Sequence, residues 1–165
     1  MSEAQRLVDL IPRLRRYARA LVGDRASADD LVQDTLERAW AKLHLYRRGT
    51  DLRAWLFTVM HNVHVNKVRS ARATDPLEDE MPELAQRAAQ GDALVVRDLD
   101  RAIARLPAEQ RAVLLLVTLE EMSYEQVART LGIPIGTVMS RLSRAREKLR
   151  GMMLGQAAAK LKVVK

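Results

Sequence analysis

Two groups of side chains in this sequence have the types and spacing to act on a ligand. Asp30 and Asp34 stand four residues apart, which on a helix puts both carboxylates on one face, and Gln33, Glu37 and Arg38 extend that face into a polar ridge. Such a ridge suits a partner presenting basic groups; the alternative is an ordinary solvated face. Two carboxylates one turn apart could also begin a divalent-metal site. No third ligand or nucleophile stands at a useful spacing, however, and His44, His61 and His64 do not form the HExxH pattern of a zinc site. No catalytic residue, metal or cofactor is therefore expected, and the chain is not expected to be an enzyme.

The second group runs from Thr137 to Arg150. Val138, Leu142, Ala145 and Leu149 recur at steps of four, three and four and form one apolar stripe. At about 100° per residue the opposite face carries Gly136, Ser140, Ser143 and Glu147, with Met139 and Arg144 beside them. Arg141, Arg146, Lys148 and Arg150 lie on the flanks. A helix entering a major groove needs slim residues toward the base edges and cations toward the phosphates on either side, and this face has both.

The elements that must position this helix are legible. Ser123 is an N-cap with Gln126 three residues on to complete a capping box, and Met122 and Val127 occupy the positions of a hydrophobic staple. A helix from Tyr124 to Leu131 should end at Gly132, which can take a left-handed conformation, and Pro134 suits the first turn of the next. The pattern is a helix-turn-helix.

Upstream, Val8, Leu10, Ile11, Leu14, Tyr17, Ala18 and Leu21 predict an amphipathic helix that Pro12 kinks or restarts and Gly23-Asp24 closes. Ser27 is expected to cap the next helix, with Asp29 and Asp30 in its first turn and Leu31, Val32, Leu36, Ala39, Trp40 and Leu43 on its buried side. Thr50 or Asp51 should cap a third helix that buries Leu52, Trp55, Leu56, Val59 and Val63, with Met60 at the margin of that face, and largely exposes Arg53, His61, Asn62, Asn66, Lys67, Arg69 and Arg72. Between them a mobile basic loop carries Tyr46, which would either stack on an unpaired base or cover the edge of the core. Leu94 to Leu106 and Ala108 to Leu119 predict two further helices around Pro107.

The charge is unevenly spread. Lys and Arg total 28 against 21 Asp and Glu, a net +7 that points to a polyanionic partner. Residues 1–72 hold 14 basic and 8 acidic side chains, 73–95 hold 1 and 6, and 96–165 hold 13 and 7, so two basic blocks flank an acidic strip. The strip contains Asp75-Pro76, Met81-Pro82 and Gly91-Asp92 and reads as a linker. The longest apolar run, Ala112 to Leu119, is too short to span a bilayer, no signal-peptide pattern opens the chain, and there is no cysteine. These features predict a cytoplasmic all-α protein without membrane insertion. Two small helical domains with two small cores are expected: 1–72, a linker 73–95, 96–150, and a tail 151–165 without an assigned role.

The segments SADDLVQDTLERAW, TDLRAWLFTVMHNV and LPAEQRAVLLLVTLEEMSYEQVARTLGIPIGTVMSRLSRAREKLR resemble, in that order, bacterial sigma factors of the extracytoplasmic-function (ECF) group, small specificity subunits of RNA polymerase. The resemblance implies that 1–72 is a sigma region 2-like domain in which Asp30, Gln33, Asp34, Glu37 and Arg38 meet core RNA polymerase. It implies that Tyr46, Arg47, Arg48, Trp55, His61, Asn62 and Lys67 recognise and melt the minus 10 element. It further implies that 96–150 is a region 4-like domain whose Thr137, Met139, Ser140, Arg141, Ser143, Arg144, Arg146 and Lys148 lie at the minus 35 promoter DNA. An anti-sigma partner and control by stress or another signal are implied too. His61, Asn66 and Met139 depart from the residues more common in the family, so promoter preference does not transfer. A stand-alone repressor would use the same helix-turn-helix as a dimer and would not need polymerase.

Overall fold

The structure is a computed structural model that describes residues 2–74 and 93–163. Seven helices make up the described residues, with no strand among them: α1 (Glu3–Val22), α2 (Arg25–Ala41), α3 (Leu52–Thr74), α4 (Ala93–Arg105), α5 (Ala108–Thr118), α6 (Tyr124–Leu131) and α7 (Ile135–Val163). A short 3-10 turn, Leu43–Leu45, follows α2. Most of the acidic strip lies outside the described residues.

α1 starts at Ser2, whose hydroxyl accepts from the Gln5 amide, and ends at Gly23 in the left-handed conformation at φ 78°. It runs unbroken through Pro12, without a restart there. Pro12 is exposed, so water can reach the carbonyl it leaves without a donor, while Leu7, Leu14, Tyr17, Ala18 and Leu21 anchor the helix on both sides of it.

The α2 cap is Asp24 and not Ser27. The Asp24 carboxylate accepts from both the amide (3.0 Å) and the hydroxyl (2.8 Å) of Ser27, and these bonds hold its pKa below the ordinary value. The helix therefore begins a turn earlier than expected, and Asp29 and Asp30 fall beyond its first turn. Its buried stripe is Ala28, Leu31, Val32, Thr35 and Ala39. Trp40, expected inside, is 64% exposed. At about 100° per residue it sits roughly 120° around the helix from the centre of that stripe, too far to reach the core.

α3 is capped by Asp51, which accepts from the amides of Arg53 and Ala54. Leu52, Leu56, Phe57, Val59, Met60 and Val63 pack inward, and Phe57 meets Tyr17 edge to face at 5.1 Å. In the C-terminal part the capping box of Ser123 and Gln126 is formed, Met122 and Val127 are both buried, and Gly132 is left-handed at φ 66°. Leu114, Leu115 and Leu116 are buried. α7 continues well past Arg150, so the tail extends the recognition helix.

The core differs from the two small cores expected. The apolar cluster runs without a break from α1, α2 and α3 into α5, α6 and α7, because α1 packs on α4 and α5 while α3 packs on α6. Leu14, Leu56, Met60, Leu116, Val127 and Leu142 all belong to it.

Candidate polymerase and nucleic-acid interfaces

The ridge on α2 is open to solvent at Asp30, Gln33, Glu37 and Arg38 and half-buried at Asp34. It is already engaged from within. Lys67 of α3 bonds Asp30 and lies 2.5 Å from Asp34, and the two carboxylates raise the pKa of its ammonium. Two shallow grooves flank that ammonium. One is lined by Asp24, Asp30 and His64, the other by Asp34, Glu37, Arg38 and Asn66. Trp40 stands exposed on the edge of the ridge nearest Gln33 and Glu37. An exposed Trp beside a charged ridge is the kind of side chain that anchors a protein interface. The sequence reading missed it by placing it in the core.

The segment between α2 and α3 is a hydrogen-bonded turn. Tyr46 is only 6% exposed, its hydroxyl donates to the Thr50 carbonyl, and its ring lies 5.6 Å from that of Trp55. The Thr50 hydroxyl donates to the Arg47 carbonyl at 2.6 Å, and Gly49 supplies a φ of 90° that a side chain would strain. Arg47 and Arg48 are exposed, with Arg48 paired to Glu3 at 2.9 Å. In this arrangement Tyr46 covers the core edge.

Along α3, Asn62 is exposed and Trp55 and His61 are half-buried. Burial lowers the pKa of His61, as does the neighbouring Arg141 charge. His64 is lowered by burial and then by His61 and Arg111.

On α7 the stripe Val138, Leu142 and Ala145 is buried and Leu149 is half-buried, so the opposite face points outward. Ser140, Ser143, Arg144, Arg146 and Lys148 are exposed, and Met139 is 49% exposed. Thr137 is half-buried, accepting at its carbonyl from the Ser140 hydroxyl, and Arg141 is half-buried against Glu109 at 3.6 Å. Small polar groups thus occupy the centre of a free helical face and cations its margins, the geometry a major groove requires. Among the described residues no three of His, Asp and Glu gather as a metal site would need, and no helix is long and apolar enough to cross a membrane.

Comparison with known proteins supplies the deciding observation. Residues 7–61 match the model of the Sigma2 domain of PhyR, and residues 97–149 match sigma-70 region 4. The chain is 37% identical over 145 residues to the ECF RNA polymerase sigma factor EcfG of Rhodopseudomonas palustris, covering 87% of this chain and 80% of that protein. It is 41% identical over 147 residues to the ECF sigma factor SigL of Mycobacterium tuberculosis, covering 83% and 80%. The chain belongs to the ECF family of RNA polymerase sigma factors.

The fold of this sigma factor is likewise similar to solved members. The sigma factor RpoE in complex with the anti-sigma factor NepR from Bartonella quintana superposes with a TM-score of 0.81 at 36% identity, over 91% of this chain and 95% of that one. CnrH in complex with the cytosolic domain of CnrY gives 0.67 at 25% identity, over 93% and 91%. As an ECF sigma factor the chain binds core RNA polymerase and directs promoter-specific initiation.

Arg111 is a structural residue of this sigma factor that sequence reasoning passed over. Its guanidinium donates to the carbonyls of Ile103, Ala104 and Leu106 at the end of α4 and to Leu21 at the end of α1, at 2.6 to 3.0 Å. Helix C-termini leave carbonyls without donors, and a planar five-donor group can serve several at once. Burial lowers its pKa.

Proposed function

We propose that this sigma factor meets core polymerase through the Asp30, Gln33, Asp34, Glu37 and Arg38 ridge with Trp40 at its edge, and reads minus 35 bases with Met139, Ser140, Ser143 and Arg144 of α7. Arg146 and Lys148, with Thr137 and Arg141 behind them, serve the flanking phosphates. Arg47, Arg48, Trp55, His61, Asn62 and Lys67 form the minus 10 surface, which Tyr46 joins once the turn opens. The observation that carries this reading is that the two faces lie on different helices, both free of the core: an acidic ridge for a protein, a basic face for DNA.

Energetics supports the division of labour. Opening duplex costs about 1.4 kcal/mol per stacked step, and a captured base returns about 1 to 3 kcal/mol by stacking. A bidentate base contact adds about 1 to 3 kcal/mol of discrimination. Neither reader is strong alone, and polymerase makes them useful by fixing their spacing and raising the effective concentration of the second site. Residues 1–72 and 96–150 act as the two readers on either side of the 73–95 linker. An anti-sigma protein holds the chain under a stress- or signal-dependent control, a reading favoured by its likeness to sigma factors captured with such partners.

The test is transcription from genomic fragments with reconstituted holoenzyme. Promoter-dependent product that is lost with Asp34→Ala and redirected with Arg144→Ala agrees with the reading; product indifferent to both contradicts it.

A further inference from the structure

Glu120 is the one charged residue buried among the described residues, and it lies at the seam between the two halves of the chain. It sits in the loop from Leu119 to Met122 that joins α5 to α6, beside Glu121, a non-glycine residue at φ 53°. Its side chain has no exposed surface, and neither carboxylate oxygen has a hydrogen-bond partner. The nearest cations belong to α1: Arg16 at 3.7 Å and Arg13 at 4.0 Å, whose side chains are 56% and 50% exposed. The buried phenol of Tyr17, also on α1, is raised by burial and by the Glu120 charge. From α3, Arg53 donates to the Glu120 main-chain oxygen at 2.6 Å, and its charge also acts on the carboxylate.

Two kinds of contact therefore meet in this seam. Three clasps reach main-chain oxygens, Arg53 to Glu120, Arg16 to the Leu119 carbonyl at 3.4 Å and Arg111 to Leu21 at 2.7 Å, and a fourth joins side chains, the Gln126 side-chain amide donating to the Asp51 carboxylate at 3.4 Å. The carboxylate has ion-pair neighbours but no hydrogen-bond partner. A buried charge is repaid only by close, hydrogen-bonded partners, and arginines at ion-pair distance without hydrogen bonds return part of what desolvation removes. In keeping with this, burial pushes the Glu120 carboxyl above its ordinary value although Arg13, Arg16 and Arg53 pull it down.

We propose that this sigma factor closes on itself through a clasp in which the Leu119–Met122 loop seats between Arg13, Arg16 and Arg53, and that Glu120 sets how easily the clasp opens. The closed form places α6 over α3 and ties Asp51, at the end of the Tyr46 turn, to Gln126. Closure leaves the α2 ridge and the outer face of α7 exposed but fixes the separation of the two readers, so assembly, in which polymerase sets their spacing, must open it first, a consequence that rests on the function proposed above. The clasp itself does not depend on that function. The two partners of the ion pair have opposite effects. Removing an arginine leaves the buried charge less compensated and opens the chain; neutralising Glu120 removes the desolvation cost, keeps the main-chain clasp and closes it further.

The absence of cysteine makes the test direct. Cysteines placed by Ala26→Cys on α2 and Arg129→Cys on α6, both exposed positions, carry a donor and acceptor dye in the full chain. Against that background Arg16→Ala is expected to lower transfer efficiency and Glu120→Gln to raise it, with circular dichroism unchanged. Arg13→Ala serves in place of Arg16→Ala if the latter unfolds. No shift in any variant overturns the clasp, and opening by Glu120→Gln overturns the role given to the carboxylate. The same samples titrated with core polymerase separate the second half. Association several-fold faster for Arg16→Ala and slower for Glu120→Gln supports autoinhibition, and equal rates overturn it. If the unmodified chain does not bind core at all, the proposed polymerase surface fails while the dye measurement still decides the clasp.

Discussion

The ammonium of Lys67 lies 2.5 Å from the carboxylate of Asp34. A cation proposed for the minus 10 surface is thus held by an acid proposed for polymerase, so engagement of one partner would change what the other meets. Basic groups of polymerase arriving at Asp30 and Asp34 would release Lys67 toward DNA.

Lys67→Met should therefore strengthen binding to core polymerase, by about 0.2 to 1 kcal/mol as for other exposed ion pairs, and weaken promoter opening. Titration of core with labelled chain reads the first effect and permanganate reactivity of the minus 10 bases the second. Weaker core binding would contradict the competition.

Asp34→Ala and Trp40→Ala should each cost at least about 1 kcal/mol of core binding, the scale at which an interface residue counts. Since Asp34 is half-buried on the surface and Trp40 is exposed, thermal unfolding should change by no more than about 1 kcal/mol for Asp34→Ala, which loses the pair with Lys67, and about 0.5 kcal/mol for Trp40→Ala. A large loss of melting temperature with Trp40→Ala would return that residue to the core.

Arg144→Ala should change the preference at one minus 35 position by about 1 to 3 kcal/mol and spare core binding. Selection of promoters from a randomised minus 35 element checks it. An unchanged selected sequence would remove Arg144 from the base-reading set.

Tyr46 separates stability from melting. Tyr46→Phe loses the bond to Thr50 and should cost about 1 kcal/mol, while Tyr46→Ala also empties a buried ring and should cost about 3 kcal/mol or more. Denaturant unfolding gives both values. Equal costs would place the ring outside the core.

Acid acts on the fold through groups of opposite sign. His61 and His64 have pKa values lowered in the folded chain, so the unfolded chain binds more protons and stability falls as pH drops through the ordinary histidine value of 6.5. Glu120 is raised in the folded chain, so its contribution is greatest at low pH and is lost as pH rises through the raised value. As pH falls from 7, His64→Gln should make unfolding less sensitive to acid than wild type around the ordinary histidine value, and Glu120→Gln more sensitive from the raised Glu120 value down to the ordinary glutamate value. Denaturant midpoints across that range check both slopes.

The local signals were readable because each is carried by a few neighbouring residues. The Ser123 and Gln126 capping box, the left-handed Gly132 and the Val138, Leu142 and Ala145 stripe follow from side-chain chemistry within one or two turns. Asp24 was harder, since Asp24 and Ser27 are both good caps and only the bond between them decides which leads. Trp40 failed on angle: its type suggests the core, but its place on the helix does not. What lay beyond reading was contact between distant positions. Arg53 meets Glu120 across 67 residues and Arg111 meets Leu21 across 90, and no pattern along the chain marks an arginine that will cap another helix or a glutamate that will be buried.

The most direct test of the account is run-off transcription from a promoter selected by the holoenzyme, comparing the chain alone, core polymerase alone and both together, with gel shifts on the same DNA. A discrete product and a stable DNA complex only when both are present is the predicted result. Tight binding of the isolated chain to its site, with no product when core polymerase is added, would contradict it.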